Sequence, residues 1–177
     1  MKRPPPADIA EQDLHRENAL LRGLLQTLGR DAAYNQQVMA RFQERELSLL
    51  GAGDLVRLLE RLTDGMRTSF ALDSVKLFLF DPFNVVHDLL TANADATRHV
   101  MRDVVLCADV QATRARFNDL HAPWLGPWDG ARHLALFGRR LGGSVALLPL
   151  RQRDGLAGFL CLGSRDPARF TTGQATD

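Results

Sequence analysis

The sequence predicts an α+β fold: an antiparallel sheet with helices on both faces, preceded by one long N-terminal helix. Three observations carry this expectation. Apolar residues recur at alternating steps of four and three from Leu14 to Leu49, the spacing of a continuous helix with a single apolar seam. Two short runs, Ser144–Leu150 and Leu156–Gly163, flank a charged turn ending in Asp154-Gly155, the pattern of a β-hairpin. Both runs are apolar at nearly every position, so both faces of their sheet are expected to be covered. The remaining strand pattern, Ser74–Phe80, lies between helical stretches, which gives the order helix, strand, helical middle, two strands and an incipient helix.

Residues 1–7, opening with MKRPPP, read as a disordered tail, and residues 8–50 read as the helix. Its seam runs through Leu14, Asn18, Leu21, Leu25, Leu28, Ala32, Asn35, Met39, Phe42, Glu46 and Leu49. Asn18 and Asn35 stand at seam positions, where a polar residue fixes register and oligomer state at some cost in stability. Gly23 and Gly29 each weaken the helix by roughly 1 kcal/mol relative to alanine. Such a helix either packs on its own domain or pairs with a second copy. A chain of 177 residues offers little else to bury so long a stripe, which favours a homodimeric coiled coil through residues 8–50.

Gly51-Ala52-Gly53 breaks the helix, and Asp54 is placed to cap the next one and open a second domain over residues 54–177. Leu55, Leu58, Leu59, Leu62, Met66 and Phe70 form one apolar helical face, closed by Ala71-Leu72-Asp73. In Ser74–Phe80 the alternation sets Val75, Leu77 and Leu79 on one face and Lys76, Phe78 and Phe80 on the other, and Asp81-Pro82 ends the strand. Short helices are expected over Asp95–Val104, Ala112–Leu120 and Ala131–Phe137, the last stopped by Gly138. Val105–Val110 reads as a brief strand and His121–Gly130, rich in Pro, Gly and Trp, as an ordered loop. Arg165-Asp166-Pro167 turns the chain, and Thr171-Thr172-Gly173 reads as the start of a helix.

Composition excludes several functional classes. With 22 basic and 21 acidic residues the net charge is +1, too little for a field that would attract nucleic acid or an anionic membrane. Small basic-aromatic clusters at Arg114, Arg116 and Phe117, and at Phe137 with Arg139-Arg140, are not enough to predict nucleic-acid binding. No apolar run is long enough to span a membrane and no signal peptide is recognisable, so the expected location is cytoplasmic. The two cysteines, Cys107 and Cys161, lie in apolar contexts; a disulfide is formally open to them, but reduced thiols fit that location better.

Catalytic motifs are lacking: no G-x-S-x-G, Walker A, G-x-G-x-x-G or H-E-x-x-H pattern occurs. The histidines are scattered without ligand spacing, and a His99–Cys107–His121 metal site is disfavoured. Asp81 with Asp88, or Asp103 with Asp109, read as helix and turn ends in preference to paired catalytic carboxylates. The expectation is a protein with no catalytic residue, no metal site and no identifiable cofactor.

The runs GSVALLPL and GFLCLGSRDPARF, beginning at Gly143 and Gly158, resemble the terminal hairpin of a bacterial family of unknown function, number 484, whose members have a GAF-like fold. LHRENALLRGLLQTL with Ala33-Tyr34-Asn35, and the segment from Asp129-Gly130 to Leu136-Phe137-Gly138, are similar to further parts of that family, so the resemblance covers about residues 14–177. It implies a GAF-like module that binds a small molecule between the sheet and its cover. The order of elements, with Asp54 following the long helix after a short Gly break, adds the expectation that the module signals through that helix. Phe78 and Phe80 on the sheet, with Trp124, Trp128, Arg132 and His133 from the cover, are the candidate pocket residues. The same side chains would otherwise simply fill the core, leaving an interaction scaffold without a ligand. The family domain continues into a C-terminal helix where this chain stops at Asp177. Its absence predicts that the Val75/Leu77/Leu79 face is partly open, as a docking surface or a source of instability.

Overall fold

The computed structural model describes residues 6–92, 94–109, 122–152 and 155–171, with side chains from residue 14 onward except 94–96. The chain divides into two compact units, Met1–Glu46 and Leu47–Asp177. The described residues of the first unit belong to helix α1, Pro6–Leu50, a run of 45 residues. It starts two residues ahead of expectation because a proline, with φ already helical and no N–H to satisfy, suits a first turn.

The second unit is the α+β body that was expected. The Gly51 amide bonds the Leu47 carbonyl at 3.0 Å as α1 ends. Helix α2, Leu55–Ser69, then begins where Asp54 Oδ1 accepts the Arg57 amide at 2.8 Å. This is the cap read from sequence. Ala71, at φ +47, reverses the chain into strand β1, Ser74–Phe80. Helices α3, Val85–Thr91, and α4, Ala94–Met101, follow, and then strand β2, Val104–Cys107. After them come β3, Trp124–Pro127; helix α5, Gly130–Phe137; and the long hairpin β4, Ser144–Gln152, and β5, Gly155–Ser164.

The sheet order is β2-β1-β5-β4-β3. Three neighbouring pairs are antiparallel, but β1 and β2 run parallel, so the sheet is mixed where a wholly antiparallel one was expected. The cause is the link between them: α3 and α4 carry the chain back over one face, and a helical crossover returns a strand in the same direction. Helix α3 escaped sequence analysis, being only seven residues long and starting from a left-handed Asn84.

Two packed layers sandwich the sheet, and the alternation in β1 assigns them correctly. On one face Val75, Leu77 and Leu160 pack with Leu59 of α2, Leu90 of α3 and Val100 of α4. On the other, Phe78, Val145, Leu147, Phe159 and Cys161 pack with Leu136 and Phe137 of α5. Of the Val75/Leu77/Leu79 face expected to be partly open, Val75 and Leu77 are buried and Leu79 is half-buried. Crossover helices α3 and α4, together with α2 and Phe170, cover this face instead.

Boundaries in the middle shift for identifiable reasons. Helix α4 stops at Met101 because Val104 is already paired with Leu77, so the strand expected over Val105–Val110 starts earlier and ends at Cys107. The supposed loop His121–Gly130 contains β3, which pairs with Ser144–Leu147 of β4. Pro127 is tolerated there because β3 is an edge strand with one unpaired side. Helix α5 ends at Gly138 as expected, with φ +67. The helix expected over Ala112–Leu120, the helix entry expected at Thr171-Thr172-Gly173 beyond its first residue, and the hairpin turn residues Arg153 and Asp154 lie outside the described residues. Both cysteines are free thiols, and burial pushes Cys161 well above the usual thiol range.

Candidate functional site

The six candidate pocket residues are brought together on the α5 face of the sheet. Phe78, Phe80 and Phe159 form an aromatic triangle with ring centroids 5.9–6.3 Å apart. At the β3 end the fully buried His133 ring stands between Trp124, at 5.0 Å, and Trp128, at 5.5 Å, and Trp128 packs edge-on to Phe137 at 5.5 Å. The Arg132 guanidinium lies over the Trp124 ring at 5.4 Å, a cation–π contact. Phe78 is in the core, with Phe80, Trp124 and Trp128 partly buried against it.

His133 holds its position through its own helix start. Its Nδ1 accepts the Asp129 amide at 3.0 Å, while Asp129 Oδ1 accepts the Ala131 amide at 2.9 Å and caps α5. With Nδ1 an acceptor, the neutral ring carries its proton on Nε2. That atom and Trp128 Nε1 are both buried and have no hydrogen-bond partner among the described residues. Burial lowers the His133 pKa; Asp129 opposes the shift and Arg132 adds to it. Because the native value is depressed, the stability contributed is complete above the ordinary value of 6.5 and is lost progressively as pH falls below it. NMR titration of the histidine Cε1 protons is expected to place the His133 midpoint below 6.5; a midpoint at or above that value would contradict the buried neutral ring.

Two cavities in the body are lined by other residues. One, of about 500 Å³, is bordered by Asp54, Leu55, Glu60, Leu89 and His99, with His99 Nε2 3.5 Å from Glu60 Oε1. The second, of about 350 Å³, is lined by Arg67, Asp73, Ser74, Lys76, Arg102, Asp103 and Arg139. Asp103 anchors it. Its carboxylate takes Lys76 Nζ at 2.8 Å and Arg67 Nη1 at 3.0 Å, and Arg67 also pairs with Asp64. Burial would raise the Asp103 pKa, but the hydrogen bonds and charges of Lys76 and Arg67 outweigh it and hold the carboxyl below its ordinary range.

Sequence analysis missed this cluster because its members come from α2, β1, the α4–β2 link and the segment after α5. The available signal was Lys76, a cation in an otherwise apolar strand. Asp103 and Asp109 do not act as a carboxylate pair, since Asp103 is committed to cations. Asp81, considered with Asp88, is buried and accepts the His87 amide at 2.9 Å, holding the first turn of α3. Among the described residues no three His, Cys, Asp or Glu side chains gather as a metal site; His121 lies outside them.

The hairpin signature proves to be a structural clasp. Ser144 Oγ donates to the Asp166 carbonyl at 2.6 Å and accepts the Phe170 amide at 3.2 Å. The Arg165 amide bonds Asp73 Oδ2 at 2.8 Å, Asp166 Oδ1 caps the Ala168 amide at 2.9 Å, and Arg169 reaches the Phe70 and Ala71 carbonyls. These bonds tie the end of β5 to the α2–β1 turn and leave the motif's polar groups committed to the fold.

On α1 the expected dimerisation residues face solvent. Leu14, Leu21, Leu25, Leu28, Met39 and Phe42 are 48–68% exposed, Asn18 and Asn35 are exposed too, and Asn18 Nδ2 bonds the Leu14 carbonyl at 3.3 Å. No helix among the described residues is long and apolar enough to cross a membrane. A family model described as protein of unknown function, DUF484, matches residues 7–177, and no curated protein matches the chain.

Proposed function

Because the chain belongs to the DUF484 family, with nearly its whole length matched, we propose that it is a non-enzymatic, cytoplasmic regulatory module that works as a homodimer joined through α1. The observation that carries this reading is the exposed seam of α1. Six large apolar side chains at heptad spacing stand open to water on one helix, which an isolated copy would leave unburied. Pairing with a second copy buries them by knobs-into-holes packing, with Asn18 and Asn35 setting register. The body, with helices on both faces of its sheet, supports the GAF-like scaffold that the family resemblance implied.

Leu21→Asp with Leu28→Asp is expected to convert a dimer into a monomer in sedimentation equilibrium while the body keeps its melting transition. A wild-type monomer, or a variant dimer as tight as wild type, would refute the pairing.

A second reading gives the body a small ligand on the aromatic face. It is favoured by one observation, Nε1 of Trp128 and Nε2 of His133, two buried donors on rings 5.5 Å apart and without acceptors among the described residues. A carbonyl or carboxylate oxygen would satisfy them, since a buried donor left unmade costs about 1–3 kcal/mol. Native mass spectrometry of the purified dimer separates the two readings, because a retained small molecule supports the sensor and a bare mass supports the scaffold.

A further inference from the structure

We propose that the 350 Å³ cavity is a binding site for a small phosphate monoester, held chiefly by Arg102 and Arg139. The argument begins with the charges on its wall. Four cations, Arg67, Lys76, Arg102 and Arg139, face two carboxylates, Asp73 and Asp103. Asp103 is saturated by Arg67 and Lys76. Asp73 Oδ2 accepts the Arg165 amide, and its Oδ1 lies 3.6 Å from Arg165 Nε. Among the described residues neither acid forms an ion pair with Arg102 or Arg139.

Those two arginines are committed to little else. Arg139 Nη2 bonds only a main-chain oxygen, the Asp73 carbonyl at 3.1 Å. Arg102 contributes its carbonyl to Lys76, and its guanidinium is in no ion pair among the described residues. The surplus is local, because the whole chain carries only +1. Two uncompensated guanidinium groups match a ligand with about two negative charges, as a phosphate monoester has near neutral pH; a single carboxylate supplies one. The planar forks bind phosphate oxygens bidentately, and Ser74 adds a hydroxyl to the wall. A volume of 350 Å³ lies within the range of small-molecule sites and leaves room for an organic group beyond the phosphate. This proposal stands apart from the dimer and from the aromatic face.

Calorimetric titration of the full chain with glycerol 3-phosphate tests it, with inorganic phosphate and acetate as parallel arms. The expected result is saturable binding of one glycerol 3-phosphate per chain, weaker binding of inorganic phosphate and weaker still of acetate. Arg102→Ala breaks no hydrogen bond of the described structure and is expected to weaken binding roughly tenfold, with Arg102→Ala/Arg139→Ala abolishing it. Arg140→Ala, at the residue next in sequence to Arg139 but not among the cavity's lining, leaves affinity unchanged. No saturable binding by wild type, equal weakening by Arg140→Ala, or undiminished binding by the double variant would each overturn the proposal. Co-sedimentation with phosphatidic acid vesicles that depends on Arg102, without binding of the soluble ester, would overturn it in favour of a lipid headgroup.

Discussion

Replacing Gly143 or Gly158 by alanine is expected to destabilise the body by about 4 kcal/mol or more, the range reached only by severe core damage. Each glycine stands where backbone meets backbone. At Gly143 a Cβ would lie 2.2 Å from the Ser164 carbonyl oxygen and 2.5 Å from the Arg165 carbonyl, and φ is +69. Steric collision and a left-handed backbone therefore act together, and neither is relieved by moving a side chain. At Gly158 the Cβ would fall 2.1 Å from the Phe78 carbonyl oxygen, in the centre of the sheet where β5 pairs with both β1 and β4. Relief there means separating β1 from β5.

Urea unfolding at neutral pH measures both effects. Gly138→Ala offers a calibration: its φ is also positive, +67, but its Cβ would meet nothing within 4 Å, so it should lose only about 1 kcal/mol. Near-wild-type stability for Gly143→Ala or Gly158→Ala would contradict the close approach of these strands.

Loss of the Asp103 carboxylate is the second large effect. Asp103→Ala removes a buried acceptor that joins Arg67 of α2 to Lys76 of β1, leaving Lys76 without its counter-ion and Arg67 with Asp64 alone. Breaking such a pair by deleting one partner costs about 3 kcal/mol, well above the worth of an exposed ion pair. The pH dependence has a definite sign. The native carboxyl titrates below its ordinary value of 3.8, so its contribution is complete above that value and is lost as pH falls through the lower native pKa. Stability measured between pH 5 and pH 2 should therefore fall more steeply for wild type than for Asp103→Ala. Parallel curves would remove Asp103 from its role as anchor.

Much of this fold was legible because local pattern and burial agree. The two faces of β1, the cap at Asp54, the stop at Gly138 and the hairpin all follow from spacing and from residues with few conformational options. The family signature was legible as well, but not its purpose. Its glycines mark backbone contacts and its serine, arginines and aspartate form a clasp, which only the partners across space reveal. The six aromatic-face candidates fall in two groups on that face, Phe78 and Phe80 on β1 and Trp124, Trp128, Arg132 and His133 at the β3 end, with β5 and β4 between them. The cationic cavity was not legible as a cluster, Lys76 in β1 being its one signal, because Arg67, Lys76, Arg102 and Arg139 are separated along the chain and share no period.

The sequence by itself determined the α+β class, the long heptad-patterned α1 and the two apolar faces of the hairpin. Side-chain periodicity and turn chemistry act within a few residues, and they are written in the order of residues. The tertiary structure alone decided the parallel β1–β2 pair, the closure of the Val75/Leu77 face by α3 and α4, and the gathering of charge around Asp103. Those features depend on which surfaces meet after the chain has crossed over itself, and on a balance of burial and charge that no single segment carries.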